Sequence, residues 1–112
     1  MPLLKITTNA QIDDADSLCL QFSATVSQML GKPESYVMVI LQAEHNMSFS
    51  GSNVPCAYLE LKSLGLPEDE SAGFSNTLCE KTSELLGIDS SRTYIEFSNP
   101  ARHMWGWNKS TF

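Results

Sequence analysis

The chain has 112 residues, 42% of them hydrophobic and 18% charged, which suits a folded globule of one domain and excludes a disordered segment. The formal net charge is −6, and the seven Lys and Arg are scattered, so no basic stripe exists to neutralise phosphates and neither nucleic acid nor an acidic membrane surface is an expected partner. Three cysteines (Cys19, Cys56 and Cys79) without close pairs, and two distant histidines, argue against a disulfide framework and a zinc site.

The opening stretch MPLLKITT predicts a strand over residues 3–8. Pro2 suits a strand start because it has no N–H to give to a ladder. It also follows the initiator Met, whose removal is common before a small residue, and would then be a terminus with a free secondary amine. If Met1 is retained, the Pro2 nitrogen is an amide and cannot act as a base. Lys5, Thr7, Thr8 and Asn9 break the apolar start, so no secretory h-region is present and the cytoplasm is the expected location.

Residues 13–30 predict a helix. Asp13, Asp14 and Asp16 suit its N-terminus through capping and the helix dipole. Leu18, Phe22, Val26 and Leu30 form one apolar stripe. Gly31 stops the helix, Pro33 reinforces the stop, and YVMVILQA (36–43) is a nearly continuous apolar strand, as expected where both faces are covered. Its apolar core is far too short to span a bilayer.

The second half repeats this order. CAYLELKSL (56–64) reads as a strand, LPEDES (66–71) as a turn with N-terminal acids, the stretch to Leu86 as a helix stopped by Gly87, and RTYIEFS (92–98) as the return strand. Phe74, Leu78, Thr82 and Leu86 each lie 56 positions after Leu18, Phe22, Val26 and Leu30, and Gly87 lies 56 after Gly31. Two related β-α-β halves, about 1–50 and 51–112, are the economical reading. Right-handed crossovers favour parallel pairing within each half. The expected fold is α+β: one domain over 1–112, a four-stranded mixed sheet with two helices on one face, and short edge strands. The helix-free face is expected to be buried by another subunit. Residues 44–55 read as a connecting loop. The tail NPARHMWGWNKSTF (99–112) carries both tryptophans and Phe112, and either packs on its own core or reaches a neighbouring subunit or a pocket.

An N-terminal amine is a base when neutral. Model α-amino groups titrate at about 7.7–8.0, and burial or a nearby cation lowers that value. A base poised near neutral pH is what proton abstraction beside a carbonyl requires. Lys32, in the turn after the first helix, is a suitable cation, although most turn lysines are merely solvated. Alternation in TYIEF puts Tyr94 and Glu96 on one face and Ile95 and Phe97 on the other. Spacing alone leaves Tyr94 and Glu96 open between edge decoration and a site.

MP at the start, GKP at 31–33, FSGSNVPCA at 49–57, LKSLG at 61–65 and GWNKSTF at 106–112 resemble the macrophage migration inhibitory factor family over the whole chain. The resemblance implies a homotrimer with sites at subunit interfaces and a cofactor-free keto–enol tautomerase. Its implied substrates are small aromatic 2-oxo acids of the phenylpyruvate type and dopachrome derivatives. Pro2 matches the catalytic proline and Lys32 the lysine that binds the substrate carboxylate or oxygen. Leu64 stands where isoleucine is usual and would act through its backbone. Tyr94 matches a tyrosine donated by the adjacent subunit, and Tyr36, Trp107 and Phe112 match the aromatic wall. Glu96 replaces the usual asparagine; a carboxylate there repels an anionic substrate and raises the Pro2 pKa. Lys62 replaces a pocket-edge histidine and offsets that charge. Cys56 lacks its C-x-x-C partner, Leu59 standing in that place, so no dithiol redox partner is expected. Two alternatives accompany the tautomerase: a cytokine-like binding protein with a vestigial pocket, and hydratase or dehalogenase chemistry with Glu96 activating water.

Overall fold

The computed structural model describes residues Met1–Phe112. β1 (Leu3–Thr8), α1 (Ala15–Leu30) and β2 (Met38–Gln42) form the first β-α-β unit; β3 (Ala57–Lys62), α2 (Ser71–Leu86) and β4 (Thr93–Ser98) form the second. The tail adds the two-residue strands β5 (Gly106–Trp107) and β6 (Ser110–Thr111). Strand order in the main sheet is β2-β1-β3-β4. Pairing is parallel within each unit and antiparallel between β1 and β3 at the centre. The repeat read from the 56-residue offset is therefore the architecture.

Period-2 alternation builds the core. Leu4, Ile6, Leu59 and Leu61 point to the helical face and are fully buried, in a register that sets Leu4 beside Leu61 and Ile6 beside Leu59. Phe22 and Val26 of α1, and Phe74 and Leu78 of α2, close over them. Each such side chain contributes about 1.5–3 kcal/mol by leaving water. The outer members of the stripes, Leu18, Leu30 and Leu86, are only half-buried. Thr82, the α2 counterpart of Val26, is fully buried, and its hydroxyl has no hydrogen-bond partner.

Both helices end on a left-handed glycine, Gly31 (φ 64°) and Gly87 (φ 68°), whose N–H bonds go to Ser27 and Ser83 carbonyls. The N-termini differ. Asp14 caps α1 by accepting from the Ser17 N–H at 3.3 Å, whereas a 3-10 turn over Glu68–Glu70 leads into α2 without a side-chain cap. A second 3-10 turn, Glu34–Tyr36, delays β2 to Met38 and lifts Tyr36 out of the strand predicted from residue 36. Pro33, just before it, supplies the fixed φ of −57° that starts the turn.

The helix-free face is less apolar than the sequence suggests. Met38 and Ile40 are exposed at the β2 edge, but the middle strands present Lys5, Tyr58, Glu60 and Lys62. Glu60 lies 3.9 Å from Lys5 and 4.0 Å from Lys62. On the β4 edge Tyr94 and Glu96 face outward while Ile95 and Phe97 pack on the core, as the alternation requires. The loop 44–55 is tied down by Arg92, which donates to the carbonyls of Phe49, Ser52, Val54 and Pro55 and lies over the Phe49 ring. No helix is long and apolar enough to cross a membrane.

Candidate functional site

The start of β1, the residues after β3, the turn after α1 and the tail converge on one cleft of about 280 Å³. Lys32 is aimed into it by its backbone. The Lys32 N–H donates to the Ser27 carbonyl at 3.1 Å, and the Ser27 hydroxyl donates to the Lys32 carbonyl at 2.6 Å. Both backbone groups are thus held by the end of α1. Its ammonium Nζ donates to the Leu64 carbonyl at 2.6 Å. Leu64 itself is buried, so its backbone rather than its side chain is the polar part offered to the site.

The N-terminus is the other pole. Met1 lines the cleft and Pro2 is buried beneath it, with its carbonyl accepting from the Met38 N–H at 3.0 Å. Burial, followed by the Lys32 charge, a Lys32 hydrogen bond and the Arg102 charge, holds the Met1 amine below the ordinary value of 8.0.

Aromatic rings form the far wall. Tyr36 and Phe112 line the cleft. Trp107 stacks on Phe112 at 5.8 Å between centroids and meets Tyr36 edge-on at 6.1 Å. This wall exists because the tail folds back as a hairpin. Asn108 (φ 50°) and Lys109 (φ 69°) take the two left-handed positions of a tight turn between β5 and β6, and the Phe112 N–H donates to the Trp105 carbonyl at 3.2 Å. Of the two homes open to the tail, this one is within the same chain, against a pocket.

Lys32, Tyr36, Leu64 and Phe112 are thus brought together, with Pro2 beneath and Trp107 behind. Tyr94, Glu96 and Lys62 are not. Tyr94 is exposed on the sheet's helix-free face, its ring 4.7 Å from that of Phe49. Lys62 lies beside Glu60, and Glu96 accepts a hydrogen bond from the Tyr58 hydroxyl. That bond, followed by burial and the charges of Glu96 and Glu60, pushes the Tyr58 pKa up to about 12. Arg102, absent from the sequence reading, stands in the cleft wall. Only a tail folded back by a 3-10 turn over Arg102–Met104 brings it there, and no spacing in the sequence signals that turn. A larger groove of about 770 Å³ runs between α1 and α2, lined by such residues as Gln21, Thr25, Gln28 and Thr77. Its polar groups are engaged as ordinary helix-surface groups are, Lys81 pairing with Glu84 at 3.3 Å and the Thr25 hydroxyl donating to the Gln21 carbonyl at 3.0 Å, so size does not decide the site.

Of the cleft's lining, Lys32 and Pro33, Leu64 and Phe112 fall in the motifs at residues 31–33, 61–65 and 106–112. The family model for macrophage migration inhibitory factor matches residues 1–112. The chain belongs to the macrophage migration inhibitory factor family. It is 36% identical over 114 residues, covering both chains fully, to a macrophage migration inhibitory factor homolog of Trichinella spiralis. It is 32% identical to the mouse macrophage migration inhibitory factor, covering all of this chain and 99% of that one. The crystal structure of a macrophage migration inhibitory factor homologue from Prochlorococcus marinus superposes with a TM-score of 0.93 at 39% identity, covering 98% of each chain. Membership in the macrophage migration inhibitory factor family thus extends over the whole chain, cleft and tail included.

Proposed function

We propose that the protein is a keto–enol tautomerase of phenylpyruvate-type 2-oxo acids, with Pro2 as general base once Met1 is removed. The observation that carries this reading is the environment of the N-terminal amine, which burial and Lys32 hold below the ordinary α-amino range. Loss of Met1 transfers the amine to Pro2, beside the same lysine, and enlarges the cleft by the volume that Met1 fills. The neutral Pro2 nitrogen takes a proton from C3 of the 2-oxo acid. Lys32 pairs with the carboxylate or the developing enolate oxygen, where a fixed cation in a partly dry cleft is most effective. Tyr36, Phe112 and Trp107 hold the ring. The Pro2 ammonium then gives that proton to the 2-oxo oxygen, so the C2–C3 double bond of the enol is formed, the base is regenerated and no cofactor is needed.

The working form is a homotrimer. Two unlike edges are left unpaired in the chain: β2, with Met38 and Ile40 outward, and β4, with Tyr94 outward. Contacts between unlike surfaces close into rings, and a ring would carry Tyr94 and Glu96 of one subunit toward the next subunit's cleft. The expected mass in solution is three times the 12.4 kDa chain mass, measured by light scattering.

Intact-mass spectrometry should give the chain without Met1. Phenylpyruvate tautomerisation should fall by about two orders of magnitude in Pro2→Gly, the scale of a positioned general base; equal rates would sink the role of Pro2. Because only the neutral amine is a base, activity should rise with pH as that amine loses its proton and be lost as pH falls; burial and the Lys32 charge, which lower the pKa of the amine at this end of the chain, should set that limb at lower pH than for a free prolyl amine.

A further inference from the structure

The groove of about 770 Å³ between α1 and α2 has no part in the tautomerase reading. Ala24, Met29 and Phe74 give it an apolar lining. Leu20, 69% exposed, stands one turn before Ala24 on the same side of α1. From Ser17 to Leu30 that helix carries no charged residue. Gly73 keeps the opposite wall low. Nothing lies within 4 Å of where its Cβ would stand and its φ is not left-handed, so neither packing nor backbone calls for glycine, the poorer helix former. Charge is gathered around this uncharged strip. Asp13, Asp14 and Asp16 stand at the start of α1, Glu68, Asp69 and Glu70 lead into α2, and Glu80 and Glu84 lie on α2, all of them exposed. The helical layer thus holds eight of the chain's thirteen acids but one of its seven Lys and Arg, Lys81, which already pairs with Glu84 at 3.3 Å. The helices run antiparallel because β1 and β3 do, so one acidic triad lies at each end of the groove.

Such a surface repels a second copy of itself and an acidic bilayer, and attracts a cation-bearing partner. A ring closed through the β2 and β4 edges leaves the helical layer outward, so the groove is open in the trimer as in the chain. We propose that this groove docks a cationic amphipathic helix of another protein, with its apolar stripe on Leu20, Ala24, Met29 and Phe74 and its Lys and Arg toward the acids at the groove's two ends. A third helix fits the trough between two helices by the same ridge-and-groove packing that seats helices in cores. An apolar centre inside a charged rim is the form that helix-in-groove recognition takes.

The probe is a labelled peptide of Leu and Lys patterned as an amphipathic helix, titrated into the full-length protein and followed by fluorescence anisotropy. A scrambled peptide of the same composition carries the same charge without the apolar stripe. The patterned peptide should bind about tenfold tighter than the scrambled one, and Leu20→Ala should remove about that factor, the scale of one apolar anchor. Gly73→Phe should fill the groove and block binding. Glu70→Gln should weaken it by about twofold, and added salt should weaken it further. In nitrogen-15 NMR spectra the amides of Met29, Gly73 and Phe74 should shift on titration. Equal binding of the scrambled peptide, unchanged binding in both Leu20→Ala and Gly73→Phe, or shifts confined to the sheet overturns the proposal. So does a particle of two trimers that Leu20→Ala splits, which would give the groove to a second copy. Because Leu20 is exposed, Leu20→Ala keeps its readout even if Gly73→Phe disturbs the fold. None of these readouts depends on turnover of a 2-oxo acid, so failure here leaves the tautomerase reading standing, and the reverse.

Discussion

Lys32 and Ile88 occupy the same place in the two halves of the molecule, each directly after the left-handed glycine that ends a helix. Lys32 turns toward a cleft and donates to the Leu64 carbonyl; Ile88 is fully buried in the core. The same divergence runs through other matched positions. Val26 is apolar core, and its counterpart Thr82 buries an unpartnered hydroxyl. On the return strands the outward pair Met38 and Ile40 is matched by Tyr94 and Glu96. The repeated unit supplies the sheet and its covering helices, and either half suffices as a template for that. The proposed chemistry lies where the halves stopped matching, so the two ends of the sheet are equivalent as scaffold and unlike in the side chains they present.

Exchanging residues between the halves breaks this relation at graded strength. Ile88→Lys puts the cleft's cation into the core, where an unpaired buried charge costs about 3–5 kcal/mol, and urea unfolding should show that loss or outright failure to fold. Lys32→Ile does the reverse and should leave the fold standing. Its kcat/KM on phenylpyruvate should fall by about 100-fold, as for loss of one fixed electrostatic donor. The residual activity should have its acid limb at higher pH, because the Lys32 charge lowers the amine's pKa. Thr82→Val copies the first half's core and removes an unsatisfied hydroxyl, so thermal or urea unfolding should show a gain of about 1 kcal/mol. Glu96→Ile copies Ile40; its effect is the mildest and is read by ultraviolet titration of the phenols, with Tyr58 falling from about 12 toward 10.0.

The two halves were also unequally legible. Helices and main strands could be read because apolar periodicity and two stop glycines are local signals that burial enforces. The strand starting at 36 was misplaced by two residues, since a 3-10 turn has too short a period to be seen against an apolar run. The tail's hairpin was invisible as structure: its strands have two residues each, and its turn depends on Asn108 and Lys109 both taking positive φ. Lys32, Tyr36, Leu64 and Phe112 converge because motif and fold agree. Arg102 escaped notice because an arginine in a polar tail carries no sign of where a turn will point it. The helix-free face was expected to be buried by another subunit because the strands carry apolar residues on both sides; Lys5, Glu60 and Lys62 on β1 and β3 add charge that this reasoning passed over, since an edge strand is a poor guide to the middle of its own sheet.

The central pairing of β1 with β3 has a consequence for how the chain is made. During synthesis β1 can pair with β2 on one side as soon as residue 42 has emerged, but its other edge stays open until Lys62 leaves the ribosome. In that interval the first half is a two-stranded parallel fragment with Leu4 and Ile6 only half covered, a state open to pairing with any neighbouring nascent chain. Neither half owns the seam that closes the core, and the molecule becomes safe from its own copies only when the second copy of the unit arrives.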